Sequence, residues 1–357
     1  MKTTEIVRAT LANGLRVVVE EDHSAPVAAV AVHYGVGFRT ETPDRSGLAH
    51  LLEHLLFDRD GVTRPDYTAF AATTTDPARL IAREAARMRA PWLSERAVIA
   101  QTAVIRDEIL RTWRPFAPPR LASVLFGTFA NAHDGYGDHL ALERVTVDEC
   151  ADFFDRHYAP GNAVVTVVGD VAAGEVLDQV AGTFGEIPRR PVSRPVSLRE
   201  PEPGVRAVTY TDPKAVLPAL VVGYRAPAEP PAQVALAALA GLLSVPARMG
   251  RFGPLDARDP DMWIATLPEQ GLAAFDDELE SIGLFGPSDD RLRIGRSVED
   301  HEHRARTLGR DELLWGDPGL TARLPGLFAD LTAADVAAAA RSLRPDSRAL
   351  LTVLPPG

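Results

Sequence analysis

The chain has 357 residues, 46% of them hydrophobic and 24% charged, enough for more than one buried core. Its net charge of −11 lacks the basic footprint of a nucleic-acid binder, and its single cysteine, Cys150, excludes an intrachain disulfide or a thiolate metal cluster. With no run of about 18 apolar residues and no unbroken apolar stretch at the N-terminus, neither a membrane span nor a secretory signal is expected, and the localisation expected is cytoplasmic.

Strands are predicted within residues 9–38, where "LRVVVEE" follows an Asn13-Gly14 turn and "VAAVAVHYGVG" is rich in β-branched residues. "TPDRSG" breaks them, and a helix runs from about Ser46 to Phe57 through "GLAHLLEHLLF". "DPARLIAREAARMRAPW" and "SERAVIAQTAVIRDEILRTW" predict two more helices, the second capped by Ser94. "TVDECADFFDRHY" is helical and makes Cys150 a buried, inert thiol. Pro160-Gly161-Asn162 stops it, and "AVVTVVGD" is a buried strand. "EIPRRPVSRPVSLREPEPG", with five prolines, reads as an exposed extended linker. Beyond it "AVTYTD" and "ALVVGYRAP" are strands, "PPAQVALAALAGLLS" is an apolar helix, and the last 27 residues read as helix, proline turn and strand.

That last piece repeats an earlier one. "VTVDECADFFDRHYAPGNAVVTVVGD" and "LTAADVAAAARSLRPDSRALLTVLPP" each combine a Thr-capped helix, a proline turn and an aliphatic strand, and Thr146 to Thr166 and Thr332 to Thr352 are both 20 apart. The expected fold is α+β: two related domains, each a mixed, mostly antiparallel sheet with helices packed on one face. The expected boundaries are 1–190, a linker at 191–204, and 205–357.

In "GLAHLLEHLLF", His50 and His54 are four apart and lie on one helix face, where they can grip one zinc ion. Glu53 is placed to take a proton from a water at that metal. The pattern is H-x-x-E-H, the inverzincin signature, and leucines on both sides make unpaired polar burial costly.

"SGLAHLLEHLLF" resembles the active-site helix of the pitrilysin/insulinase superfamily of zinc peptidases, and is closest to short bacterial members similar to mitochondrial processing peptidase. "VAAVAVHYGVGFRTETPDRSGLAH", "YGDHLALERVTVDECADFFDRHYAPGNAVVTVVGDV" and "GDPGLTARLPGLFADLTAADVAAAARSLRPDSRALLTVLPP" resemble its other segments, so the likeness covers most of the chain. The resemblance implies a zinc-dependent endopeptidase with Glu53 as general base. It makes 1–190 the zinc-binding domain and 205–357 a related domain without a metal site. It also implies a peptide substrate and a homodimer or a heterodimer with a related subunit.

The family's third zinc ligand is a glutamate on a later helix, and "AVIRDEILRTW" assigns that role to Glu108, with Glu84 and Glu95 as competitors. Helix phase sets Glu108 beside Val104 and Ile105, whereas Glu95 sits in a first turn, where the helix dipole favours a carboxylate anyway. Gln101 stands where many relatives carry another acidic residue.

Two departures stand out. Between "HLLFDRDG" and "DYTAFAATTTDPARL" the chain is short and lacks the family's Gly-Gly…Asn-Ala hairpin, which puts the peptide-holding edge strand in question. In the second half, "SVPARMGRFGPLDARDPDMWIATL" offers Arg248 or Arg251 but no tyrosine to reach a substrate; a partner chain supplying both groups would reconcile this with an intact zinc site. His301 and His303 in "DHEHRART" are two apart, a poor ligand pair read as a solvated face, and His133 and His139 flank a turn. A non-proteolytic descendant, serving as a binding or assembly subunit or using the zinc site for another reaction, is the alternative reading.

Overall fold

The structure, a computed structural model, describes residues 5–57, 61–112, 118–137, 139–192, 197–213, 215–287 and 300–357. The first half supplies β1 (Ile6–Thr10), β2 (Arg16–Glu21), β3 (Ala28–Tyr34), α1 (Leu48–Leu56), β4 (Gly61–Thr63), β5 (Thr68–Thr74), α2 (Pro77–Arg89) and α3 (Glu95–Thr112). It continues with α4 (Pro118–Leu125), α5 (Phe129–Ala132), α6 (His139–Leu142), α7 (Val147–His157), β6 (Ala163–Gly169) and α8 (Ala173–Phe184). The second half supplies β7 (Arg206–Thr211), β8 (Ala219–Arg225), α9 (Pro230–Leu242), β9 (Ala247–Met249), β10 (Met262–Pro268) and α10 (Leu272–Phe285). It ends with α11 (His301–Trp315), α12 (Leu324–Ala329), α13 (Ala333–Ser342) and β11 (Ala349–Leu354).

The first sheet has the order β1-β2-β6-β3-β5-β4 and the second β7-β11-β8-β10-β9. Without β1 the two orders correspond strand for strand. Each contains one parallel pair, β2 with β6 and β7 with β11, and the remaining pairs are antiparallel. The repeat seen in the sequence is thus the same topology built twice, an α+β fold with two related sheets. Its caps repeat too. Thr146 with Glu149 and Thr332 with Asp335 each form a capping box, satisfying N–H groups that the first helical turn leaves unpaired.

The central strands are apolar on both faces, so each sheet must be covered twice. In the first, Val17, Val19, Val30 and Val32 face a core shared with α1, α2, α7 and α8, while Val18, Ala29 and Ala31 face Ala305, Leu308 and Leu313 of α11. In the second, Leu220, Val222 and Trp263 pack with α9, α10 and α13, while Val221, Ile264 and Leu351 pack with Leu121 and Leu125 of α4 and with Phe126 just after it. The reverse face of each sheet is therefore closed by a helix from the other half of the sequence. The first compact unit comprises Met1–Ile109, Gly135–Val196 and Ser297–Thr321; the second comprises Leu110–Asp134, Ser197–Arg296 and Ala322–Gly357. Relative to a division at the proline linker, each unit gives up one such stretch and receives another.

The segment "DHEHRART", read as a solvated face, begins α11 and carries a buried side: Ala305, Thr307, Leu308 and Gly309 are all buried. Gly309 permits that close approach, since a Cβ there would lie 2.4 Å from His33 Nδ1 and 2.8 Å from Thr166 Oγ1. The charges of α11 are paired around this contact. Arg304 donates to Glu20 at 2.9 Å, Arg8 approaches Glu312 at 2.7 Å, and His301 lies 3.1 Å from Asp22. "TAFAATT", not foreseen as a strand, forms β5 against β3, and the hairpin in question is present in short form, with Gly61, Val62 and Thr63 opposite Phe70, Ala69 and Thr68. No helix among the described residues is long and apolar enough to cross a membrane.

Candidate metal centre

Helix α1 is anchored before its histidines are reached. Glu41, itself buried, accepts hydrogen bonds from the N–H groups of Gly47 at 2.7 Å and Ala49 at 2.8 Å, a carboxylate at the positive end of the helix dipole. Gly47 holds φ 93°, a left-handed conformation suited to glycine, and Gly137, at φ 78°, passes against it. A Cβ on Gly137 would meet Gly47 Cα at 2.5 Å. This crossing sets Tyr136 beside the helix, its ring edge-on to His50 at 5.6 Å between centroids. Leu48, Ala49, Leu51 and Leu52 bury the core side of α1.

One turn presents the polar groups. His50 Nε2 and His54 Nε2 lie 3.1 Å apart, and Glu108 Oε2 of α3 lies 3.6 Å and 3.5 Å from them. Among the described residues this is the one group of three metal-ligating side chains whose donor atoms converge, all within 4.8 Å of one another. Donors about 2.0–2.2 Å from a tetrahedral zinc stand roughly 3.3–3.6 Å apart; both histidine–glutamate separations match this, and the histidine pair is slightly closer. Without an ion the two facing nitrogens could share only one N–H. Burial, reinforced by His54, lowers the His50 pKa to about 3, which keeps the imidazole in the neutral form that ligates. His54 Nδ1 lies 3.3 Å from Gln101 Oε1, an acceptor that would hold the proton on Nδ1 and leave Nε2 for a metal.

Glu53 stands apart from this trio. Thr63 Oγ1 donates to its Oε2 at 2.6 Å, and Gly61 passes directly beside its side chain. Burial raises the Glu53 pKa, and the Glu108 carboxylate adds to the rise, while Thr63, His54 and Arg64 oppose it. A carboxyl shifted toward neutrality is better matched to proton transfer at ordinary pH.

The competing glutamates lie elsewhere. Glu84 is fully buried in α2 but paired with Arg83 and Arg87. Glu95 is exposed in the first turn of α3. Of the two apolar neighbours expected for Glu108, Ile105 is buried and Val104 is exposed. Arg251 is held within the second unit, where Nη1 donates to His133 O at 3.2 Å and Nη2 to Asn131 O. Arg248 lies exposed on the edge strand β9. His133 stacks on Phe129 at 4.1 Å, and the His139 side chain lies outside the described ones. Cys150 is buried, and burial pushes its thiol up to about 12, an unreactive state. Sequence reasoning missed Glu41, Gly61, Thr63 and Tyr136, because each reaches α1 through tertiary contact and not through helical spacing.

Two family models match the chain: "Insulinase (Peptidase family M16)" over residues 16–89 and "Peptidase M16 inactive domain" over residues 144–250. An uncharacterized zinc protease of Streptomyces coelicolor is 27% identical over 56% of this chain and 50% of its own length. The zinc protease PqqE of Helicobacter pylori is 28% identical over 66% of this chain and 60% of its own. The chain thus spans about half to three fifths of these relatives. Among solved structures, a protease from Helicobacter pylori superposes with a TM-score of 0.83 at 20% identity, covering 99% of this chain and 100% of that one. The M16 inactive domain from Pseudomonas fluorescens gives 0.82 at 17% identity, covering 99% and 98%. Twin sheets of one topology, a histidine pair with a glutamate on a single helical turn, and these matches lead to one conclusion: the chain belongs to the pitrilysin/insulinase superfamily.

Proposed function

We propose that the protein is a zinc-dependent endopeptidase. The observation that carries this reading is the convergence of His50, His54 and Glu108, with a half-buried carboxylate, Glu53, on the same helix. His50, His54 and Glu108 hold the ion. A bound zinc supplies a Lewis acid that makes water nucleophilic near neutral pH and polarises a peptide carbonyl. Glu53 takes the proton of the attacking water and returns it to the leaving amine. The peptide lies along β4, the last strand of its sheet, by strand addition. Arg64 N donates to Tyr67 O at 2.8 Å, so ladder alternation turns the backbone groups of Gly61 and Thr63 away from β5 and toward the open edge.

A second, related chain, identical or not, completes the site by offering an arginine and a tyrosine to the substrate. Support comes from how the second half uses its own groups. Arg251 is committed to backbone carbonyls, Tyr224 is buried, and Tyr210 lies beneath the Arg120 guanidinium, 3.6 Å from its ring centroid. The three-residue β4 favours the alternative, a descendant that binds but does not cleave. Incubation with a pool of unstructured peptides, alone and with related chains co-expressed, separates the two. The peptidase reading expects cleavage by wild type and loss of it in Glu53→Gln. Absence of cleavage in every pairing would leave the binding role.

A further inference from the structure

Strand β4 meets α1 at its first and third residues, Gly61 and Thr63, which share one face of the strand. Both contacts fall on Glu53. Thr63 Oγ1 donates to Glu53 Oε2 at 2.6 Å. At Gly61 a Cβ would lie 2.7 Å from Glu53 Cγ, 2.8 Å from Oε1 and 3.1 Å from Cδ, so only a residue without a side chain leaves the carboxylate in place. The backbone groups of the same two residues face the open edge of the sheet.

We propose that Thr63 and Gly61 are positioning residues for Glu53, and that β4 couples peptide docking to alignment of the base. This rests on the peptidase reading. Thr63 fixes Oε2 and leaves Oε1 as the oxygen that meets the water's proton. Gly61 provides the space that lets the carboxylate lie against the strand. A peptide paired to the outer edge of β4 hydrogen-bonds to the backbone of these two residues and so stiffens the strand that holds the base. The one-residue separation of Gly61 and Thr63 does both jobs, because alternation turns the Gly61 Cα face and the Thr63 side chain to α1 and the N–H and C=O groups of both residues to the edge.

The test uses the zinc-loaded full chain and a peptide from the unstructured pool that wild type cleaves. Thr63→Val keeps the shape and removes the donor; it is expected to lower kcat at least tenfold, with KM and zinc content within twofold of wild type, since misplacing a reacting group by about 1 Å can cost a hundredfold. Thr63→Ser restores kcat to within threefold. Gly61→Ala lowers kcat in the same way. A double-mutant cycle of Thr63→Val and Glu53→Ala on the unfolding midpoint reads the contact without substrate, and the two changes are expected to be non-additive. An unchanged kcat in Thr63→Val, a loss confined to KM, or additive midpoints would overturn the proposal. A wild type that cleaves nothing would instead defeat the peptidase reading, and the cycle would still decide whether Thr63 holds Glu53.

Discussion

The first and second sheets share one topology, yet the helix after the third strand of the first and the helix after the corresponding strand of the second are opposites. Helix α1 carries His50, Glu53 and His54 among its leucines; α9, "PPAQVALAALAGL", buries alanine, leucine and valine with one amide. That amide, Gln233, is paired at both ends, donating to Pro227 O and accepting from Leu255 N, both at 3.1 Å. The second unit shows that this architecture packs without ionisable groups on that helix. Those of α1 are therefore an expense to the fold, explained by what they hold.

The comparison can be broken first at the reverse faces. His33 lies under α11, and burial, reinforced by the Arg306 and Arg310 charges, lowers its pKa to about 3. The unfolded chain regains a value near 6.5 and so binds one more proton than the folded chain between about pH 3 and 6.5. Stability is full above this window and falls as pH drops through it, by about 1.4 kcal/mol per pH unit for this group. Denaturation across that range should show a shallower acid loss in His33→Gln than in wild type; parallel curves would remove His33 from the account.

Next in size is the pair of glycines on which the exchanged helices rest. An added methyl at Gly309 meets the His33 ring at 2.4 Å, whereas one at Gly223 meets Leu121 Cδ2, a flexible tip, at 2.8 Å. Gly309→Ala should cost about 2 kcal/mol and Gly223→Ala about 1, measured by chemical denaturation. Equal costs would mean that the two reverse faces are packed alike.

The capping boxes should behave as twins, Thr146→Ala and Thr332→Ala each costing about 1 kcal/mol. A cap that mattered in only one unit would mark the repeat as superficial. The smallest effect concerns α1 itself. In metal-free protein at neutral pH, Glu53→Gln should stabilise the fold by at most about 1 kcal/mol, because burial opposes the charged carboxylate. Destabilisation would show that Glu53 supports the fold.

Much of this was legible in the sequence because it is local. H-x-x-E-H on a helix, a threonine before an acidic third residue, and a strand of unbroken aliphatics are each set by spacing within one element. The elements that escaped depend on partners distant in the chain. "TAFAATT" is too rich in alanine to announce a strand, and becomes one because β3 offers Ala29 and Ala31 opposite Thr73 and Ala71. Charged α11 looks solvated until Glu20 and Asp22, at the end of β2 and just beyond it, take up Arg304 and His301. Nor can periodicity say which sheet a helix covers, so the exchange of α4 and α11 left no local trace.

The most direct test of the central claim is the zinc content of the purified chain after equilibrium dialysis. The account predicts one zinc per chain in wild type and in Glu53→Gln, and none in His50→Ala, His54→Ala or Glu108→Ala. Zinc retained in His50→Ala, or absent from wild type, would contradict it.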